Sequence, residues 1–283
     1  MVKEVAVNER VLLAGCGDLG LRVAQRLQAA GTEVWALRRQ PPAPDNSSIR
    51  WLCGDLTRPE TLRELPTGIT RVVYLPTPDR RDESAYRATF VDGLGHLLDA
   101  LGGGSLRRVL LVSSSAVYGD HAGGWVDEET TPAPLGFNGA VLLDAEQALA
   151  AHLVPSVVLR LAGLYGPGRL QLIERLRTGQ VRVPRVRPHW ANRIHVDDAA
   201  AAIVHLLELV DPLPLYLGVD DTPLPLDVLY DHLAALIGVP AAADGPAPAG
   251  IGSKRLSNAR LRASGFMPQW PDSREGHAAL LAL

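Results

Sequence analysis

Three glycines near the start of the chain have the spacing of a phosphate-binding loop. Gly15, Gly17 and Gly20 form a Gly-x-Gly-x-x-Gly pattern between a short apolar run and a stretch with helical periodicity. The first glycine permits a tight turn, the second lets a pyrophosphate approach the backbone, and the third allows close packing of helix on strand. Asp18 and Leu19 complete the loop, at the amino end of the helix, which favours anions. The pattern predicts a dinucleotide site; the alternative is a glycine turn with no ligand.

The end of the second predicted strand indicates which dinucleotide is expected. An NAD site usually has an acidic residue there, about 20 residues after the glycines, to bind the ribose hydroxyls. This chain has Arg38 and Arg39 instead, and Glu33 lies at the opposite end of the strand. Two guanidinium groups attract a 2′-phosphate, so NADP is expected, with NAD as the alternative. The other interpretation is that both arginines are merely solvated.

The elements that position these residues follow from the alternation of apolar runs and helical patterns over the first 160 residues. Strands are predicted at 11–14, 33–37, 49–53, 71–75, 108–112, 156–161 and 215–219. Helices are predicted at 18–30, 86–101, 140–152, 197–210 and 226–237, and one more after Thr57, which forms a capping box with Glu60. Proline-rich loops are expected at 40–48 and at 240–250, the second as a linker or disordered loop. Buried strands between helices indicate an α/β fold with a doubly wound parallel sheet, the Rossmann arrangement, which binds ligands at the carboxyl ends of its strands.

Several segments, in order along the chain, resemble one protein family. The sequence SSSAVYG at 113–119, YGPGR at 165–169 and RIHVDD at 193–198 are similar to motifs of the extended short-chain dehydrogenases/reductases, the NAD-dependent epimerase/dehydratase family. The resemblance covers nearly the whole chain and is closest to the atypical branch often labelled nucleoside-diphosphate-sugar epimerases. It implies that Asp55 and Leu56, after the third strand, meet the adenine of the cofactor.

The catalytic Tyr-x-x-x-Lys pair of that family has no counterpart in this chain. Counting back from Glu146, which matches a glutamate of the family, places Asn138 at the tyrosine and Leu142 at the lysine. The chain has only two lysines, Lys3 and Lys254, and neither follows a tyrosine by four positions. The resemblance therefore implies that the fold and the cofactor site are kept while the usual proton-transfer pair is lost.

Three residues are candidates for the remaining chemistry. Ser114 matches the catalytic serine or threonine of the family and is expected either to hydrogen-bond a substrate oxygen or to cap the backbone. Tyr118 and Tyr165 are the tyrosines nearest the expected cleft and are candidate replacement acids, although tyrosines at these motif positions more often pack structurally. His195 precedes two carboxylates at a helix start, which favours capping over metal ligation, and no metal site is expected.

Composition excludes several function classes. The net charge of −3 gives no sequence-wide basic field for nucleic acid or an anionic membrane. The two cysteines, Cys16 and Cys53, cannot form a disulfide framework or a four-cysteine zinc site. No apolar run approaches the roughly 18 residues of a membrane span, and the first ten residues lack a signal-peptide core. These observations predict a cytoplasmic protein with a small-molecule substrate and without nucleic-acid or membrane partners; a homodimer is compatible with them.

Two lobes and one principal function are expected. A dinucleotide-binding Rossmann domain is predicted at 1–162 and about 192–219, and a small substrate-binding lobe at about 163–191 and 220–283. The function predicted is that of an NAD(P)-dependent oxidoreductase or epimerase-like protein acting on a nucleotide sugar or another small hydroxy or keto compound. The alternative is a non-catalytic NAD(P)-binding sensor or regulatory protein. A proton donor within reach of a substrate would distinguish the two.

Overall fold

A computed structural model of the protein describes residues 9–43, 48–102 and 104–282. Lys3 and positions 44–47 of the predicted loop at 40–48 lie outside the described residues. The strands are β1 (Arg10–Ala14), β2 (Glu33–Arg38), β3 (Arg50–Cys53), β4 (Arg71–Tyr74), β5 (Arg108–Ser114), β6 (Trp125–Val126), β7 (Ser156–Leu161), β8 (Gly163–Tyr165), β9 (Arg182–Val183), β10 (Trp190–Ala191), β11 (Arg193–His195), β12 (Leu215–Gly218), β13 (Leu224–Pro225), β14 (Ala243–Asp244) and β15 (Arg255–Leu256). The helices are α1 (Asp18–Ala29), α2 (Glu83–Arg87), α3 (Gly93–Leu101), α4 (Phe137–Ala150), α5 (Gln171–Arg177), α6 (Val196–Glu208), α7 (Leu226–Leu236), α8 (Ala259–Ala263) and α9 (Ser273–Leu281).

Seven strands form one parallel sheet, in the order β12-β7-β5-β4-β1-β2-β3. The order reverses at β1, whose Val11 lies opposite Val34 of β2 on one side and Arg71 of β4 on the other. The residues from Val11 to Ala14 are all fully buried, as expected for a strand covered on both faces. The doubly wound parallel sheet predicted from the sequence is therefore confirmed, and its crevice lies where the strand order reverses.

The chain forms two compact units. The first comprises the described residues of Met1–Val112, Asp144–Val158 and Ile203–Pro214. The second comprises Ser113–Leu143, Leu159–Ala202 and Leu215–Leu283. The lobe boundaries expected from the sequence stay a prediction. No helix in the described ranges is long and apolar enough to cross a membrane.

In the first unit, the helix predicted at 86–101 begins earlier and is interrupted. The π-helical turn Ala88–Asp92 separates α2 from α3. The Tyr74 hydroxyl at the end of β4 donates a 2.5 Å hydrogen bond to the Thr89 carbonyl within this turn. The next residue, Gly93, has to be a glycine because a Cβ at this position would lie 2.8 Å from the same hydroxyl. A buried tyrosine thus holds the irregular turn against the sheet.

The capping box predicted at Thr57 and Glu60 is wrong. The Thr57 hydroxyl donates to Asp55 Oδ1 at 2.8 Å, and the segment continues as a single 3₁₀ turn, Pro59–Leu62, without a side-chain cap. The carboxylate two residues earlier competes successfully for the threonine, because short polar side chains bond to nearby groups in turns.

Also within the first unit, Arg108 of β5 ties down the carboxyl end of α6. Its guanidinium donates to the carbonyls of Leu206, Leu207, Leu209 and Val210 at 3.2, 2.8, 2.5 and 3.2 Å. The last carbonyls of a helix have no partners inside the helix, and a cation there also complements the helix dipole.

The second unit has its own apolar core, built on α5, α7 and the short strands near them. Its buried members include Ile173, Leu176, Val183, Leu229 and Leu233. One part of the segment 240–250, which was expected to be a linker or disordered loop, is instead held on this core, while most of its other residues are exposed. Its β14 pairs in parallel with β9, and Ala242 is buried within the apolar cluster. The expectation failed because alanine-rich and proline-rich composition does not report a tertiary partner.

Candidate dinucleotide site and catalytic positions

A cavity of about 970 Å³ lies in the first unit, at the carboxyl ends of four neighbouring strands. This volume lies within the usual range for a site that binds a small ligand. The lining comes from the glycine loop after β1, the end of β2, the segments after β3 and β4, and the helical segment that includes the π turn. In residue numbers these are 15–17, 37–40, 54–57 and 76–80, with Ala85, Ala88 and Thr89.

The glycine loop leaves an open cradle in this cavity. Gly15 has a φ of +88°, and a Cβ at this position would lie 2.4 Å from the Pro76 Cα atom. A Cβ on Gly17, in contrast, would meet no described atom within 4 Å. The N–H groups of Gly15 and Cys16 donate to the Leu37 carbonyl at 3.0 and 3.1 Å, which fixes the loop on β2. The loop is thus held rigidly while the space beside Gly17 stays free, and this arrangement fits a pyrophosphate at the start of α1.

The other residues of the predicted loop lie in the first turn of α1 rather than in the cavity lining. Gly20 packs there, since a Cβ would be 3.1 Å from the Cys16 sulfur. Asp18 forms an ion pair with Arg22 at 3.2 Å, and Leu19 follows it in the helix. Burial raises the pKa of the Cys16 thiol to about 11, so this cysteine is uncharged at neutral pH.

The two arginines at the end of β2 both line the cavity but have different partners. Arg39 forms a two-pronged ion pair with Asp79, in which Nη2 lies 2.5 Å from Oδ1 and Nη1 contacts Oδ2. This hydrogen bonding raises the pKa of Arg39 and lowers that of Asp79. The Arg38 carbonyl accepts the Gly54 N–H at 3.2 Å, but its exposed guanidinium has no hydrogen-bond or ion-pair partner within the described part of the chain. Of the two side chains, Arg38 is therefore the one that can meet a ligand without giving up a contact to another described residue.

Asp55 and Leu56 form the side of the cavity beyond β3. Asp55 Oδ1 accepts the backbone N–H of Thr57 at 3.0 Å as well as its hydroxyl. The Leu56 carbonyl contacts His96 Nδ1 at 2.9 Å, which ties this segment to α3. Both residues line the cavity, and their contact with the adenine stays a prediction.

Sequence reasoning missed the segment after β4. Residues 76–80 border the cavity because β4 pairs directly with β1, so the two strands end side by side. The strand itself was predicted, and the neighbour relation in a doubly wound sheet is the signal that could have led to Asp79. No feature of the sequence could have predicted that Ala88 and Thr89 line the cavity, since a π turn has the same apolar pattern as an ordinary helix.

The candidate catalytic residues lie in the second unit. Ser114 Oγ accepts the Ala116 N–H at 3.2 Å and so begins the 3₁₀ turn Ser115–Tyr118. Tyr118 is fully buried, with the Arg160 guanidinium 4.8 Å from its ring centroid. The contact with the Ala116 N–H means that Ser114 caps the backbone, which was one of the two alternatives expected for it. The contact with Arg160 indicates that the ring of Tyr118 has a packing role.

Tyr165 lies in a group of aromatic rings packed against α9. It stacks on His277 with centroids 4.2 Å apart and meets the edge of His195 at 5.1 Å. A Cβ on Gly276 would lie 2.1 Å from the Tyr165 hydroxyl, so α9 approaches the ring closely there. The Tyr165 hydroxyl has no hydrogen-bond partner among the described residues. Burial, reinforced by nearby acidic groups, raises the pKa of this phenol well above its usual range. His195 Nδ1 in turn accepts the Asp197 N–H at 3.2 Å, the capping arrangement at the start of α6.

Two buried ionisable residues of the second unit have no counterpart among the sequence candidates. Asp220 is 2% exposed, and burial raises its pKa to about 8. Lys254, also buried, donates from Nζ to the carbonyls of Gly119 at 3.0 Å and Gly252 at 3.4 Å. Burial lowers the pKa of this lysine. The second of the two lysines in the sequence thus holds two backbone segments together.

Comparison with known proteins decides the family. Residues 11–215 match the NAD dependent epimerase/dehydratase family. The chain belongs to this family. The resemblance drawn from the sequence motifs is therefore confirmed.

Three similar proteins illustrate the likeness. A structure from Methylobacillus flagellatus, described as an NAD-dependent epimerase/dehydratase, is 40% identical, with a TM-score of 0.81 over 97% of this chain and 98% of that one. Protein YeeZ of Escherichia coli K12 is 28% identical over 280 residues, 93% of this chain and 97% of its own. MoeE5 in complex with UDP-glucuronic acid and NAD is 25% identical, with a TM-score of 0.80 over 97% of this chain and 98% of that one.

The two positions that the sequence analysis matched to the catalytic pair of the family, Asn138 and Leu142, lie on α4. Leu142 is buried, and Asn138 is half-buried near the amino end of the helix. Gly139 lies between them, where a Cβ would be 2.5 Å from the Ala116 carbonyl oxygen. The helix therefore packs tightly on the turn that follows Ser114, while neither of the two positions has a group that could transfer a proton at neutral pH.

Proposed function

We propose that the protein binds NAD(P) in the cavity of its first unit and serves as an oxidoreductase or epimerase-like protein. The substrate class proposed is a nucleotide sugar or another small hydroxy or keto compound. The observation that carries the proposal is the open cradle at Gly17 in a loop otherwise fixed by Gly15 and Leu37. Membership of an NAD dependent family supports it, as does the NAD and UDP-glucuronic acid bound by MoeE5.

Each part of the cavity has a proposed role toward the dinucleotide. The backbone at Gly17 and the amino end of α1 hold the pyrophosphate. Asp55 and Leu56 border the adenine, and Arg38 is the group available for a 2′-phosphate, which favours NADP over NAD. When bound, the nicotinamide supplies hydride transfer, whereas the chain supplies binding and orientation.

The proton route is the open element of this function. Ser114 can still donate its hydroxyl hydrogen to a substrate oxygen while its Oγ accepts the Ala116 N–H, but a serine hydroxyl is a poor proton source. The raised pKa of Tyr165 makes that phenol a weak acid. Tyr118 and Tyr165 remain the proposed replacements because no Tyr-x-x-x-Lys pair exists. The same observations favour a second candidate function, a non-catalytic NAD(P)-binding sensor.

Calorimetric titration with NAD, NADH, NADP and NADPH tests the binding proposal, and a lack of heat with all four would overturn it. Absorbance of the reduced cofactor, followed during a screen of nucleotide sugars and small ketones, then tests for hydride transfer. If turnover is found, Tyr118→Phe and Tyr165→Phe should identify the acid, because one of them should lose about 10²–10⁴-fold in rate. Binding without turnover, even after Asn138→Tyr with Leu142→Lys restores the family pair, favours the sensor.

A further inference from the structure

An ion pair joins two loops at the rim of the cavity. Arg39 belongs to the segment that ends β2, and Asp79 to the segment that follows β4. Both guanidinium Nη atoms contact the two carboxylate oxygens. The neighbouring Asp55 carboxylate adds a further attraction to Arg39. Arg39 is therefore paired with Asp79 and also attracted by a second carboxylate of the protein itself.

The two arginines at the rim therefore differ in whether an acidic partner compensates their charge, and they lie where this fold distinguishes NAD from NADP. In a Rossmann site the residue at the end of the second strand meets the 2′ position of the adenosine ribose. Arg38 is unpartnered there within the described residues, while the charge of Arg39 is compensated by Asp79. A 2′-phosphate that approaches this rim gains from Arg38, competes with Asp79 for Arg39, and is repelled by the Asp79 carboxylate.

We propose that Asp79 sets the choice between NAD and NADP by withholding Arg39 from the 2′-phosphate. The inference rests on the proposed function, since it requires that the cavity binds a dinucleotide. NAD carries a neutral hydroxyl at the 2′ position, so its affinity depends little on the state of Arg39. NADP binding pays for breaking a bidentate pair, and its advantage over NAD is limited to what Arg38 provides.

The test is the ratio of the NAD and NADP dissociation constants in Asp79→Asn. Asparagine has nearly the same shape but cannot form the charged pair, so Arg39 becomes available. NADP should then bind about tenfold more tightly, the equivalent of about 1.4 kcal/mol, while NAD should change less than about twofold. Titrations with 2′,5′-ADP and 5′-ADP test whether the gain depends on the 2′-phosphate. Only 2′,5′-ADP carries that phosphate, so only this fragment should bind more tightly to Asp79→Asn.

A double-mutant cycle assigns the gain to Arg39. Arg39→Ala should lower NADP affinity more in the Asp79→Asn background than in the wild type. Glu174→Gln is the matched control, since it neutralises the carboxylate of another exposed arginine pair, 2.8 Å from Arg177, that is not part of the cavity lining. This control should leave the ratio unchanged and so exclude an effect of net charge alone.

Three results would overturn the inference while leaving the cofactor proposal intact. An unchanged ratio in Asp79→Asn would show that Arg39 does not reach the phosphate. A loss of NAD affinity would show that Asp79 binds the ribose hydroxyls itself. A gain that persists after Arg39→Ala would assign it to another group. If the wild type and every variant bind neither dinucleotide, the proposed function fails and this inference with it.

Discussion

Gly17→Ala separates the binding role of the glycine loop from its structural role. An added methyl group would meet no described atom within 4 Å, and the backbone at this position, with φ −89° and ψ −152°, is open to alanine. The folded protein should therefore accept the substitution with a change in unfolding free energy within about 0.5 kcal/mol. The methyl group would instead occupy the space proposed for the pyrophosphate.

The expected loss of affinity follows from the cost of forcing a methyl group into a filled site, about 1–3 kcal/mol. This cost corresponds to about 5-fold to 150-fold weaker binding of both NAD and NADP. Gly15→Ala should behave in the opposite way, because its Cβ would lie 2.4 Å from Pro76 Cα at a φ of +88°. Strain and overlap there should lower the unfolding free energy by at least about 2 kcal/mol.

Calorimetric titration and thermal unfolding of the same preparations provide the assay. Gly95→Ala is the control, since this glycine lies on the exposed side of α3 with no described atom within 4 Å of an added Cβ. Gly95→Ala should neither weaken dinucleotide binding nor lower the unfolding temperature. A folded Gly17→Ala protein that binds dinucleotide as tightly as the wild type would refute the assignment of the cradle.

Two further predictions concern buried ionisable groups of the second unit. The raised pKa of Asp220, about 8 against an ordinary 3.8, means that the folded state keeps a proton that the unfolded chain releases; the resulting stability is complete below about pH 4 and is lost as the pH rises through about 8. Asp220→Asn keeps an acceptor for the Thr222 N–H and has no proton to lose, so it should lose less stability than the wild type between about pH 4 and pH 8. Parallel profiles of urea-unfolding free energy against pH for the two proteins would contradict this. Lys254→Met removes the donor to two backbone carbonyls and should lower the unfolding free energy by about 1–3 kcal/mol, so an unchanged urea midpoint would argue against that anchoring role.

The sheet and the glycine loop could be predicted from the sequence because their signals are local. Val11–Ala14 is a continuous apolar run followed at once by the glycines, and this order has few structural solutions. The difference between Arg38 and Arg39 could not be predicted, since it depends on Asp79, which is 40 residues further along the chain. Charge type is visible in a sequence, whereas the partner of a charge is decided by which strands become neighbours.

The catalytic candidates show the same limit. The motif placed Ser114, Tyr118 and Tyr165, but their burial depends on what covers them. Tyr165 is covered by α9 through Gly276 and His277, more than 100 residues later in the sequence. The sequence patterns predict no helix at 273–281, and periodicity alone would not indicate the ring on which such a helix packs.

The hydrogen bonds of Arg108 have a consequence for the order in which the chain folds. They join residues 98 to 102 positions apart, so the chain must close a long loop before any of them can form. Contacts of such high sequence separation add little to early collapse and reach full strength only once β5 and the end of α6 are in place. Arg108 should therefore slow unfolding more than it speeds folding, a difference that the two arms of a chevron plot would resolve for Arg108→Ala.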